Sequence, residues 1–394
     1  GKTLYLFVDD YTEGKVPKEV QQSLNHILFV PNSAYKCKIS SEVFGVPLDE
    51  TFGNFLSQER DYREWNLGTL YCLRLPSKEQ KAFLGEIVNT RLGLCQYEGC
   101  VETVIGNSHY NEGTLARTLK REAEWRKSRK QALGQRPPLL VDQEVDRQVR
   151  EEGVVAHYHG WDTICDLCTG DVSNILELLN RMYDECGVKR DTDSLIQPDH
   201  QNAVIEGYAR QYISKIKGIP GYGERMFEIV NAFGTMARRL LDEYPRVSHG
   251  EGREEPYQLL RIELDEAFRN SVDGIEDVVD VPEGGRGPAL ELWKLLQRYC
   301  IFIDADESRS RRNTLSSRVI LRRIFCLAFR IGLVNSECWT LSRQQWDAFC
   351  NDPSSRADHY VRTNVEAALR RRGDLSVNQQ GQKNLFPDQE GGAS

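Results

Sequence analysis

No apolar run in this sequence approaches the roughly 20 residues that a helix needs to cross a bilayer, and the N-terminal stretch has no signal-peptide pattern. Membrane attachment and secretion are therefore not expected. Positive charge is not in excess either: 51 Lys and Arg stand against 59 Asp and Glu, a net charge of −8. That balance excludes a surface coated in basic residues for nucleic acid, though it leaves room for a local patch. The 11 cysteines are odd in number and scattered over 394 residues, so a disulfide framework is not expected and a reducing cytoplasm suits them better. Also missing is any complete Gly-x-x-x-x-Gly-Lys-Ser/Thr loop. Gly1-Lys2-Thr3 has its closing letters, but such a loop lies between a strand and a helix, and here a strand follows Thr3. The chain begins with Gly rather than Met, and a phosphate-binding loop is expected to lie outside it.

Metal-like spacing is confined to "HYHGWDTICDLC", with His157, His159, Cys165 and Cys168. Four such ligands could hold zinc. However, Trp161, Ile164, Cys165 and Cys168 fall on one helical stripe and no second Cys-x-x-Cys follows, so buried helix-face thiols are the stronger expectation.

What is present begins with "TLYLFV", a continuous apolar run closed by Asp9 and Asp10. Such a run predicts an inner strand of a parallel sheet, covered on both faces. "KVPKEVQQSLNHILF" repeats Val16, Val20, Leu24, Ile27 and Leu28 at helical spacing, and two further strand candidates follow in "AYKCKIS" and "TLYCLRL". Strand, helix, strand, an irregular or helical stretch and a third strand predict consecutive right-handed βαβ crossovers. Ligands of open α/β sheets sit at the carboxyl ends of the strands. That crevice would collect Asp9 and Asp10 from the first strand, and Ser40 and Ser41 from the second. One reading is an acidic Mg²⁺ and water site beside a nucleotide phosphate; the other is a turn in which Asp10 and Thr12 cap the next helix.

Ser77 and Gln80 have capping-box spacing ahead of an apolar stripe of Phe83, Ile87 and Leu92. An Arg- and Lys-rich stretch ends at Pro137 and Pro138 and reads as a solvated helix face or insertion. In "GWDTICDLCTGDVSNILELLNRMYDECGV" Asp171 is placed as an N-cap, with Val172, Ile175, Leu176, Leu179, Met182 and Tyr183 facing a core. Two more amphipathic helices follow, with Gly218 to Gly223 as their turn.

The block from "LYLFVDDY" through "YKCKISSE" and "TLYCLRLP" to "LCTGDVSNILELLNRMY" resembles the latter part of an AAA+ P-loop ATPase. The nearest branch is the origin-recognition and archaeal-initiator one, bacterial relatives included, and the resemblance covers roughly residues 3 to 240. It implies that Asp9 and Asp10 are the Walker B end that holds Mg²⁺, with Asp10 activating water. It implies that Ser40, or Ser41, is sensor 1, and that Arg60 or Arg63 reaches a neighbouring subunit's nucleotide as a finger. It implies that Gly170-Asp171-Val172 opens the sensor 2 lid helix, so Asp171 lies by the nucleotide. ATP with Mg²⁺ is the implied cofactor, once a phosphate-binding loop is supplied, and a homo-oligomer is the implied assembly. This chain departs from the family in having Asp-Asp where Asp-Glu is usual, and Ser173 where the sensor 2 Arg usually stands, with Arg181 two turns later.

The C-terminal third has a helix with Leu292, Leu295 and Leu296, the strand-like "CIFID", a polar turn and a second amphipathic helix. That order suits a winged-helix-like module, which initiator-type relatives carry after the lid. Arg309, Arg311, Arg312, Arg318, Arg322 and Arg323 cluster around it, and the nucleic-acid reading assigns phosphate contacts to Arg309, Arg311, Arg312, Arg322 and Arg323. The bland alternative is a solvated face paired with Asp304, Asp306 and Glu307.

The expected fold class is α/β followed by mostly α. Its parts are a partial parallel-sheet AAA+ core (1–76), a helical lid with a charged insertion (77–187), a helical connector (188–250), a winged-helix-like module (251–372) and a disordered tail (373–394). The expected function is the C-terminal portion of a cytoplasmic AAA+ ATPase that couples ATP to assembly on DNA or protein partners, with little independent hydrolysis by this chain. The alternative is a non-catalytic, ATPase-derived scaffold that binds protein or DNA through the C-terminal module.

Overall fold

The computed structural model describes residues 4–12, 15–29, 35–41, 56, 63, 77–97, 99–106, 112–133, 158–169, 171–188, 195–219, 221–245, 247–249, 253–268, 288–305, 316–333 and 337–372. The expected third strand (69–75), Arg60, His157, Gly170, Arg309, Arg311, Arg312 and the tail beyond Arg372 lie outside the described residues.

Strands β1 (Leu4–Val8) and β2 (Tyr35–Ile39) pair in parallel, Leu4 opposite Tyr35 and Val8 opposite Ile39, and helix α1 (Lys18–Leu28) lies in the connection between them. Parallel strands need such a crossover, and the expected βαβ order is present. The expected cover is not. Leu4, Tyr5, Leu6 and Phe7 are 60, 49, 38 and 75% exposed. Among the described residues β1 has one neighbouring strand, and two strands with one helix cannot enclose both faces of a sheet. The capping alternative fails as well: α1 begins after Pro17 with no side-chain cap, so neither Asp10 nor Thr12 fills that role.

The centre is helical: α2 (Ser77–Leu94), α3 (Val101–Ile105), α4 (Glu112–Leu133), α5 (Trp161–Cys168), α6 (Val172–Glu185), α7 (Pro198–Lys215) and α8 (Gly223–Glu243). In α2 the most deeply covered apolar residues are Leu84 and Val88, while the expected stripe of Phe83, Ile87 and Leu92 is only partly buried. The stripe is displaced by about one residue, which on a helix turns the buried face by about 100°. In α6 the expected face is close to that found: Ile175, Leu179, Met182 and Tyr183 are buried and Val172 and Leu176 pack at its margin. Asp171 caps this helix, accepting from the Asn174 amide at 3.1 Å. Between α7 and α8 the chain turns through a short 3₁₀ segment, Ile216–Gly218. A Cβ at Gly223 would come within 2.6 Å of the Ile216 and Lys217 carbonyl oxygens, so this turn needs glycine.

A hairpin of β3 (Val247–His249) and β4 (Arg253–Glu255) leads to β5 (Leu259–Leu264), α9 (Pro288–Arg298), β6 (Phe302–Asp304), β7 (Arg318–Leu321), α10 (Arg323–Ala328), β8 (Glu337–Leu341), α11 (Arg343–Asn351) and α12 (Pro353–Arg372). The helix and first strand expected from the sequence are α9 and β6; after the polar turn strand β7 comes first, and the second helix is the six-residue α10. The sheet they join is four-stranded, in the order β6-β7-β5-β8, with β5 parallel to β8 and the other pairs antiparallel.

One continuous hydrophobic core links the helical centre, through Ile164, Leu178, Ile205 and Phe233, to the C-terminal sheet and helices, through Trp293, Phe302, Leu341 and Trp346. Helix α12 packs along α8, and α10 packs against α7. Phe329, just past α10, lies directly against Gly234 of α8, where a Cβ would be 2.2 Å from its ring. No described helix is long and apolar enough to cross a membrane.

Candidate functional site

The parallel register of β1 and β2 carries their carboxyl ends out side by side, so Asp9 emerges next to Ser40. Ser40 continues the ladder through its own amide, which donates to the Val8 carbonyl at 2.9 Å. Its hydroxyl donates to Asp9 Oδ1 and accepts from the Asp10 amide at 2.8 Å. One side chain thus orients a carboxylate and fixes the turn that follows it. Asp10 stands in the left-handed region at φ 55, which an Asp tolerates better than most residues, and the turn sends its carboxylate toward Lys15 Nζ, 3.9 Å away. Asp9, Asp10 and Ser40 remain open to solvent.

Behind the turn, Tyr11 is 1% exposed and its hydroxyl lies 2.9 Å from the Gln21 carbonyl and 3.0 Å from Asn25 Oδ1. Its amide donates to the Ser40 carbonyl at 2.8 Å. Burial pushes the phenol up to about 12, so it stays protonated as a donor. Tyr11 therefore ties the acidic turn to α1, a role that sequence reasoning did not assign; its signal is an aromatic placed directly after two exposed acids.

These donors can be tested against a metal. No group of three or more His, Cys, Asp or Glu among the described residues could hold one. Two carboxylates and a hydroxyl do not form an all-protein cage. They do fit the habit of Mg²⁺, which takes one or two carboxylates and fills its remaining positions with water and phosphate oxygens.

Asp171 lies elsewhere. Its carboxylate receives the Asn174 amide and side chain and the Arg322 guanidinium, all outside the β1–β2 turn. Arg322, at the start of α10, is 7% exposed; Nη1 lies 3.3 Å from the Tyr212 hydroxyl and the guanidinium sits 5.8 Å from that ring. Burial disfavours its charge, but Tyr212 and Asp171 outweigh this and hold its pKa above the ordinary value. Tyr208 extends the cluster, its hydroxyl 2.9 Å from Asn174 Oδ1 and 3.1 Å from Glu177. Ser173 is exposed, and Arg181 is engaged with Glu177 at 3.1 Å and with Gln211.

Of the expected basic patch, Arg322 is thus buried and paired with Asp171. A buried guanidinium committed to Asp171 cannot also meet a phosphate without breaking that pair. Arg323 is half-buried, and Arg318 pairs with Glu263 at 2.6 Å. Arg63 is exposed with no partner among the described residues. Cys165 and Cys168 are 3 and 0% exposed on the inner face of α5, and burial pushes both thiols well above their ordinary value. Between α2 and α5, Lys81 bridges to Asp162 at 3.2 Å and Asp166 at 3.3 Å, joining the two helices.

Residues 127–248 match the family model described as ORC-CDC6-like. The match runs from the end of α4 through α5, α6, α7 and α8 into β3. It supports the origin-recognition and Cdc6-like branch of AAA+ proteins that the sequence resembles. Neither the curated proteins nor the solved structures gave a match.

Proposed function

With residues 127–248 as an ORC-CDC6-like region of the AAA+ class, we propose that the β1–β2 turn is the metal and water half of an ATP site. Asp9, oriented by Ser40, would hold Mg²⁺; Asp10 would face the attacking water; and a phosphate-binding loop would supply the other half. ATP with Mg²⁺ contributes a phosphoryl group with its charge already partly neutralised. This chain's part is to fix an acid and a hydroxyl where that charge develops. A neighbouring copy would offer Arg63, exposed and without a partner among the described residues, or Arg60. The output would be ATP-dependent assembly on DNA or with protein partners, through a C-terminal module of winged-helix-like order.

The observation that carries this reading is the hydroxyl of Ser40 between the Asp9 carboxylate and the Asp10 amide, at the carboxyl ends of two parallel strands. The test is ATP binding and hydrolysis by the full-length protein beside Asp9→Ala and Asp10→Ala. Turnover should fall at least about 100-fold in each; normal turnover in both would remove the metal-site assignment.

A second reading is favoured by one specific arrangement. Asp171 is committed to Arg322, and Ser173 stands exposed where an arginine would read a nucleotide. A lid built this way suits a non-catalytic scaffold that binds protein or DNA through its C-terminal module. In the same assay that reading predicts nucleotide binding at most, with no hydrolysis above background.

A further inference from the structure

Helix α12 lies along α8, and where α12 begins the two helices form the walls of an open cleft of about 740 Å³. Charges of both signs line it, but its acids are already engaged. Arg239 meets Glu243 at 2.9 Å and also reaches Asp358, while Glu366 pairs with Arg370 at 3.7 Å. Three further groups on the wall are Arg356, His359 and Arg362, all exposed, and none has a side-chain partner among the described residues.

These three recur every third residue, which keeps them on one broad side of α12, and the two arginines stand about 9 Å apart along its axis. The N-terminus of α12 adds no free donor to that wall, because the Ser355 amide already donates to Asp352 Oδ1 at 3.2 Å. An exposed arginine is ordinarily just solvated. What differs here is the concave setting and two arginines that no acid of the wall engages. A planar guanidinium presents a fork that matches phosphate oxygens bidentately.

We propose that this cleft binds phosphate, with Arg356 and Arg362 gripping one phosphate group or two neighbouring ones and His359 donating between them. It lies on elements separate from the β1–β2 turn and does not depend on the ATPase reading. The phosphate could belong to a nucleic-acid backbone or to a small phosphorylated molecule.

The test measures binding of a labelled DNA duplex, and separately of pyrophosphate, to the full chain. The variants are Arg356→Gln/Arg362→Gln and Arg356→Lys/Arg362→Lys, with Arg210→Gln as the control for an exposed arginine elsewhere. Melting curves confirm folding, and the lysine pair keeps the charge if the glutamine pair unfolds. For a nucleic-acid backbone, duplex affinity falls at least tenfold in the glutamine pair, and the slope of log affinity against log salt shrinks by about 2, one unit for each lost phosphate contact. The lysine pair shows a smaller loss and Arg210→Gln none. If duplex binding is unchanged while pyrophosphate affinity falls tenfold, the site takes a small phosphorylated ligand. The proposal is overturned if the wild-type chain binds neither ligand, or if the glutamine pair binds both as the wild type does. It is equally overturned if Asp9→Asn, rather than the arginine pair, abolishes binding.

Discussion

Arg322 supplies the buried charge that holds the start of α6 to the start of α10, with Asp171 as its counter-ion and Tyr212 beneath it. Removing one partner of such a pair leaves the other desolvated. Asp171 keeps a third of its side chain exposed, which softens the loss. Arg322→Ala should therefore destabilise the protein by about 2 kcal/mol in chemical denaturation, and no measurable change would contradict the pairing. Glu177 gives a pH-dependent counterpart. Burial would raise its pKa, but Tyr208, Lys215 and Arg181 outweigh burial and lower it. A depressed carboxylate adds stability at neutral pH that is lost as pH falls through its folded value. Glu177→Gln should cost under about 1 kcal/mol at pH 7, because the group is partly exposed, and the gap should begin to close as pH falls below the ordinary Glu value of about 4.3 and vanish below the lowered folded value. A gap that persists at pH 2 would assign the loss to packing instead. The thiols are tested by alkylation and mass spectrometry of the native protein. Exposed Cys300 should label and buried Cys165 and Cys168 should not; labelling of Cys165 ahead of Cys300 would contradict its burial.

At the scale of elements, α8 decides how closely the C-terminal module sits. Gly234 leaves the space that Phe329 fills, so in Gly234→Ala the new Cβ would start only 2.2 Å from the ring and one of the two must move. The expected cost is about 1–3 kcal/mol, read as a fall in melting temperature; pairing it with Phe329→Ala should recover part of the loss, and a Gly234→Ala protein as stable as wild type would contradict the contact. Much of the element order was legible beforehand. The helical periods of α6 and α8 and the cap at Asp171 were visible because each rests on neighbours in sequence. The exposure of β1 was not legible, since a continuous apolar run reports what a strand can bury and not what lies over it. Nor was the fate of Arg322, which is decided by Asp171, 151 positions away. In sequence it reads as one more arginine in a basic cluster.

For the whole molecule, the acidic turn and the helical region have different supports. The turn is held by β1, β2 and Tyr11, whereas α5 to α12 share one core with the C-terminal sheet. The Asp171–Arg322 contact lies within that second part. The α6 N-terminus is therefore tied to α10 by this pair, while the rest of α6 packs on α5 and α7. The Asp9 and Ser40 pairing is the central claim, because the proposed chemistry rests on the hydroxyl and the carboxylate working as one unit. It is tested most directly by a double-mutant cycle on Mg²⁺-dependent ATP hydrolysis in the full-length protein, with Asp9→Asn, Ser40→Ala and both together. The account predicts that the double variant is no slower than the weaker of the two single variants, because groups acting as a unit are strongly non-additive. Losses that multiply, or single variants that turn over ATP at the wild-type rate, would contradict it.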